Sequence, residues 1–194
     1  MESEIDFDKP SLLGCASEEP VAVIGTACRF PPNCTDPESF WRLLQDGRDA
    51  VGEVPHERWN VERCHAADGQ ETGQGVSRWG AFLAKPFPEG FDASFFNVSP
   101  QEALSLDPQQ RLLLEVCWEA LENASLQAEK LRGWPMGVYV GISTSDYHGA
   151  KLWNSHAAEV GPFTATGAAF SAAAGRVSYF FGFEGPSLSV DTAC

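Results

Sequence analysis

Apolar and polar positions along this chain change period several times, and each change predicts an element. "VAVIG" at Val21–Gly25 is a continuous apolar run closed by glycine. That is the pattern of a short strand buried on both faces, as in a parallel sheet. "TDPESFWRLLQDG" follows, with an apolar stripe at Phe40, Leu43 and Leu44. Thr35 and Glu38 give a capping-box pattern, Pro37 fits the first turn, and Gly47 supplies the stop. From Arg48 to about Phe87 periodicity lapses among Gly, Pro and charged residues, with Trp59 and Trp79 embedded. Roughly forty residues without periodicity is long for a compact domain, which predicts an ordered excursion.

"FDASFFNVSP" follows, and Ser99-Pro100 predicts the start of a short helix. "DPQQRLLLEVCWEALENA" carries the clearest helical pattern, with Asp107 as N-cap and Pro108 at the first helical position. Its stripe runs through Leu112, Leu113, Val116, Cys117, Ala120, Leu121 and Ala124. Arg111 and Glu115 stand one turn apart and predict an i,i+4 pair. "MGVYVGI" at Met136–Ile142 reads as a second apolar strand, and the polar stretch after it has no assignment. "TATGAAFSAAAGRVSYFFG" predicts one helix from about Ala165 to Phe181, ended by Gly182. Its many Ala and Gly residues permit close packing at some loss of intrinsic helicity. Gly185-Pro186 marks a turn, and Ser187–Val190 reads as a buried strand handing over at Asp191 and Thr192. The resulting β-α-α-β-α-β order predicts a layered α/β fold with parallel strands.

Composition narrows the function classes. Thirteen basic residues stand against 27 acidic ones, a net charge of −14. Without a basic cluster there is no footprint for nucleic acid. No stretch reaches the roughly 20 apolar residues of a membrane span. Residues 1–18 lack an apolar core and carry Glu2, Glu4, Asp6 and Asp8, which speaks against a signal or transit peptide. They are read as a disordered acidic leader ahead of a cytoplasmic-type domain. Cysteines at 15, 28, 34, 64, 117 and 194 form no CxxC pair, so neither a disulfide framework nor a metal site is expected. Sequons at Asn33 and Asn123 carry no meaning without secretion.

Several segments together resemble one family. "EPVAVIGTACRFP", "FWRLLQDGRDAVGEVPHERW", "RWGAFL", "FDASFFNVSPQEALSLDPQQRLLLEVCWEALENA", "GVYVGIS" and "ATGAAFSAAAGRVSYFFGFEGPSLSVDTAC" are similar, in order and spacing, to the β-ketoacyl synthase domain of type I polyketide synthases. The resemblance covers residues 19–194. It implies a thiolase-like α/β fold, of which this chain is the N-terminal half of an α-β-α-β-α layered domain. It also implies that Cys194 is the acyl-accepting nucleophile of a decarboxylative Claisen condensation. Cysteine suits that role, because a thiolate is both a good nucleophile and a good leaving group in thioester exchange.

The resemblance further implies an acyl carrier protein as partner, bearing acyl and malonyl-type thioesters. No metal or redox cofactor is implied, since phosphopantetheine arrives on that carrier protein. A homodimer is implied too, paired through the strand before the nucleophile, here Ser187–Val190. The family's histidines, lysine and second oxyanion amide lie downstream of the cysteine. The chain by itself is therefore expected to be an inactive, poorly soluble fragment, and its end at Cys194 to reflect a partial sequence.

His56, His65, His148 and His156 fall in no motif of the family and are read as solvated or structural. Cys28 and Cys117 read as packing residues. Phe163, Thr166, Phe170 and Phe180 suit an acyl channel or a core equally, and Phe91, Phe95 and Phe96 suit the core. Two rival functions remain: a non-catalytic fragment that dimerises with a synthase, and a thiolase-like protein limited to acyl transfer or decarboxylation.

Overall fold

The computed structural model describes residues 20–58, 77–83, 90–147, 149 and 161–193. The leader, Cys15, Trp59, Cys64, His65, His148, His156 and Cys194 lie outside the described residues. A parallel pair of strands, β3 (Val138–Gly141) and β4 (Ser187–Val190), forms the centre, in register from Val138 opposite Ser187 to Gly141 opposite Val190. Parallel neighbours need a long crossover. Its described part includes the helices α4 (Thr164–Ala168) and α5 (Phe170–Phe181). Before the sheet come α1 (Pro37–Gln45), α2 (Pro100–Ser105), α3 (Pro108–Asn123) and a 3-10 turn at Ala128–Leu131. Within the excursion, the two-residue strands β1 (Gly52–Glu53) and β2 (Trp79–Gly80) pair antiparallel.

The core lies where α5 packs on the sheet and α3 packs on α5. Phe96, Val98, Leu106, Leu114, Val138, Val140, Ile142, Ala173, Ala174, Val177 and Phe181 are its buried members. Alternation on β3 puts Val138 and Val140 inside and Tyr139 outside, as a half-buried strand requires. β4 departs from expectation: Leu188 and Val190 are about half exposed, so the strand is not buried on both faces.

The run Val21–Gly25 forms no strand, which corrects the first element of the predicted order. Val21 and Val23 are 93% and 81% exposed, and no described strand pairs with them. A strand exists only through pairing, and the following residues are fixed to α3 by polar contacts instead. The Thr26 amide donates to Asn123 Oδ1 (3.0 Å), and Arg29 grips both carboxylate oxygens of Glu119, with Nη1 at 2.6 Å from Oε2.

Helix ends follow their caps closely. On α1 the cap is Asp36 rather than Thr35, and Ser39 rather than Glu38 completes the capping box. The Ser39 N–H donated to Asp36 (2.7 Å) holds that carboxyl below its ordinary value. Ser99 and Asp107 cap α2 and α3 as their sequences predict, accepting from the amides of Glu102 and Gln109. Gly182 takes φ 71° at the end of α5, a left-handed stop that glycine tolerates.

Two further expectations are corrected. The predicted Ala165–Phe181 helix is broken at Ala169, whose backbone is extended (φ −66°, ψ 129°). Close packing is the reason. At Gly167 a Cβ would stand 2.3 Å from the Ser105 carbonyl oxygen, so α4 lies directly on the end of α2 and cannot share an axis with α5. Gly167→Ala should therefore lower stability by about 1–3 kcal/mol, the usual overpacking range, read as the urea midpoint. An unchanged midpoint would show that the two backbones can separate freely.

The second correction concerns Arg111. Its guanidinium turns back, with Nε donating to Leu106 O (3.0 Å) and Nη2 to Ala103 O (2.9 Å) and Leu106 O (2.8 Å). Those carbonyls lie at the end of α2, where intrahelical donors run out, so a buried guanidinium supplies them. Glu115 instead feels Arg29 and Glu119, while burial pushes its carboxyl above the ordinary value.

Candidate functional site

At the end of β4 the chain leaves the sheet through Asp191, Thr192 and Ala193. Asp191 Oδ1 accepts the Ala193 amide at 2.9 Å, and Ala193 has φ 55°. A residue in the left-handed region held by an aspartate side chain ends an extended run abruptly. The turn that the sequence predicts after this strand is thus present at Asp191–Ala193. Cys194 itself lies outside the described residues.

Beside this turn is a hollow of about 260 Å³, lined by Ile142, Phe170, Leu188, Ser189 and Asp191 among others. Ser189 Oγ donates to the Phe170 carbonyl at 2.6 Å, tying the strand to the first residue of α5. A larger hollow of about 590 Å³ runs along α5 from Ala172 to Phe180, with Phe96, Phe163 and Thr166 also in its wall. The four candidate channel residues therefore separate. Phe163, Thr166 and Phe180 share the larger hollow, whereas Phe170 faces the smaller one at the strand end.

Sequence reasoning missed the polar group between these hollows. Gln110 is only 2% exposed, and its Nε2 donates to the carbonyls of Gly167 (3.1 Å), Ala169 (3.3 Å) and Thr166 (3.4 Å). Arg176 Nε donates to Gln110 Oε1 (3.0 Å) and its Nη1 to Glu102 (2.6 Å). Buried polar groups need such partners, and this set satisfies the carbonyls exposed by the break at Ala169. One signal was readable: Arg176 is the lone charge on an otherwise small and apolar helix.

A third hollow, about 320 Å³, separates residues 27–30 from α3 and is lined by Cys28, Phe30, Leu112, Leu113, Val116 and Ile142 among others. Part of the predicted α3 stripe thus faces a groove. Leu114, absent from that stripe, is fully buried. Cys117 packs against the core as expected, and burial pushes its thiol above the ordinary value. Cys28 is pushed the same way, by burial and then by the Asp36 carboxylate. Among the expected core phenylalanines, Phe96 is buried and Phe91 stacks on it (5.2 Å). Phe95 is 47% exposed and meets Trp118 edge-on. His56 is exposed, and among the described residues no group of His, Cys, Asp and Glu is arranged for a metal ion. No helix among them is long and apolar enough to cross a membrane.

Comparison with known proteins places this geometry. Residues 18–194 match the family model described as "Beta-ketoacyl synthase, N-terminal domain". The chain is 44% identical over 176 residues to a phenolphthiocerol/phthiocerol polyketide synthase polypeptide of Mycobacterium tuberculosis, covering 91% of this chain and 9% of that protein. To a second polypeptide of the same synthase in that organism it is 42% identical over 189 residues, covering 97% and 12%. Among solved structures, an oxazolomycin ketosynthase domain from Streptomyces albus superposes with a TM-score of 0.73 at 34% identity, covering 88% of this chain and 28% of that one. A ketosynthase from module 6 of the bacillaene synthase of Bacillus subtilis gives 0.71 at 31%, covering 89% and 26%. The chain therefore spans about a tenth of the curated relatives and about a quarter of the solved domains.

Proposed function

This chain belongs to the β-ketoacyl synthase family, matching its N-terminal domain, and from that premise we propose that it supplies the acyl-accepting part of a domain that lengthens acyl chains within a larger synthase. Its α/β architecture is the thiolase-like one of the ketosynthase domains it superposes on. The observation that carries the proposal is the end of β4, where "SVDTAC" runs from a parallel strand into an aspartate-held turn within the span of the family match.

In this reading the Cys194 thiolate attacks the carbonyl of an acyl thioester on a carrier protein, and the pantetheine thiol leaves. A malonyl-type thioester on a carrier protein then loses carbon dioxide. The electron pair of the broken carbon–carboxylate bond attacks the acyl-cysteine carbonyl. The new carbon–carbon bond forms as the cysteine thiolate departs, leaving a β-ketoacyl thioester on the carrier. Neither metal nor redox cofactor enters this scheme. Proton handling and the rest of the oxyanion site are assigned to the parts of a ketosynthase domain that these residues do not span.

The test is to map the acyl group. A synthase containing this chain, incubated with an acyl-loaded carrier protein at neutral pH and digested, should carry the acyl mass on Cys194. Cys28 and Cys117 should stay unmodified, because their raised pKa values keep them as thiols. Acylation spread over those cysteines, or absent from Cys194, would remove the proposal.

The exposed face of β4 favours a second element, self-association. The strand pairs with β3 on one side, and Leu188 and Val190 are half exposed. An edge strand of that kind is a template for another chain, and pairing across a two-fold axis is isologous. The rival reading, a non-catalytic fragment that only associates with a synthase, predicts capture of the intact synthase by the 194-residue chain together with no acyl mass on Cys194 in that synthase.

A further inference from the structure

We propose that Ser189 is a positioning residue for acylation, holding the nucleophile-bearing end of β4 in place through α5. The inference rests on the reading of Cys194 as the acyl acceptor and deepens it. Among the described residues β4 is held to the sheet by one neighbour only, β3. A further attachment is the hydroxyl of Ser189, donated to the Phe170 carbonyl at 2.6 Å across the wall of the strand-end hollow.

Phe170 is not free to move. It begins α5 immediately after the break at Ala169, and Gln110 holds the carbonyls on the α4 side of that break. Gln110 is itself fixed by Arg176, which is anchored on Glu102. The largely buried Arg176–Glu102 pair, with side chains 15% and 19% exposed, is shielded enough to keep its geometry. A polar group spanning α2, α3 and α5 thus leads to the Ser189 hydroxyl contact with the strand. Beyond Ser189 the backbone continues through Asp191, whose carboxylate fixes Ala193, to Cys194.

Without the hydroxyl, β4 keeps its ladder to β3, so the fold survives. Its far end loses its hydrogen bond to the start of α5. Displacement of a reacting group by an ångström slows reaction by up to about a hundredfold, while substrate binding elsewhere is untouched. Threonine offers the same hydroxyl and suits a strand, so it should substitute for serine.

The experiment uses the synthase that contains this chain, comparing wild type, Ser189→Ala, Ser189→Thr and Cys194→Ala. Acyl transfer from a loaded carrier protein is followed in single turnover, alongside KM and the urea unfolding midpoint. Ser189→Ala is expected to slow acyl transfer about ten- to a hundredfold, with KM and midpoint unchanged, and Ser189→Thr to restore it. Wild-type transfer by Ser189→Ala, beside an inactive Cys194→Ala, would overturn this inference alone. So would a loss that tracks a lowered midpoint and is not rescued by threonine. Retained condensation in Cys194→Ala would remove the nucleophile assignment and this inference with it.

Discussion

Cys194→Ala in the intact synthase is expected to abolish condensation, lowering the rate by about 10³-fold or more, since an activated nucleophile has no substitute in a methyl group. The loss should fall on kcat, because the carrier protein and the acyl chain are bound by surfaces the substitution leaves alone. The acyl-enzyme mass should vanish with it. Steady condensation by Cys194→Ala, followed as β-ketoacyl thioester on the carrier protein, would mean that another group accepts the chain. The experiment discriminates well because Cys28 and Cys117 are pushed away from reactivity by burial.

Phe181→Ala should have the largest effect on folding. Phe181 is 2% exposed and meets Phe180 edge-on at 4.9 Å, Phe183 at 5.3 Å and Trp118 at 6.2 Å. Truncating a phenylalanine at such a site removes its transfer free energy and leaves a cavity, together about 3–5 kcal/mol. That is a large part of the roughly 5–15 kcal/mol a domain commands. The helix α5 also carries the tie to β4, so the loss should appear as reduced soluble yield and a lowered urea midpoint. Tyr179→Ala is the control: it lies on the same helix, 85% exposed, and should shift stability by no more than about 0.5 kcal/mol. Equal losses from both would show that helix propensity, rather than the aromatic cluster, holds α5.

Which elements were legible follows from the range of the forces that make them. Caps and stops are decided within a few residues. Ser99, Asp107 and Gly182 stand where local chemistry puts them, and the α1 cap missed only by the step from Thr35 to Asp36. Long-range partners were not legible. The apolar run at Val21–Gly25 has strand composition but no described strand beside it, and composition cannot supply one. The break at Ala169 depends on Ser105 approaching Gly167, a contact between residues far apart in sequence. Arg111 was within one turn of Glu115, yet its guanidinium went to the carbonyls of Ala103 and Leu106 at the buried end of α2.

For the candidate site the division is similar. The order of residues in "SVDTAC", read with the other matching segments, was enough to assign the family and to offer Cys194 as a candidate, because these segments are written contiguously. Only the folded chain could separate Phe170 from Phe163, Thr166 and Phe180, or join Gln110, Arg176 and Glu102. Those groupings arise from helices packing across one another, where the neighbours of a side chain are set by crossing geometry. Local pattern determined the helix caps and stops and offered the candidate reacting residue. Tertiary packing decided which polar groups hold the strand on which that residue depends.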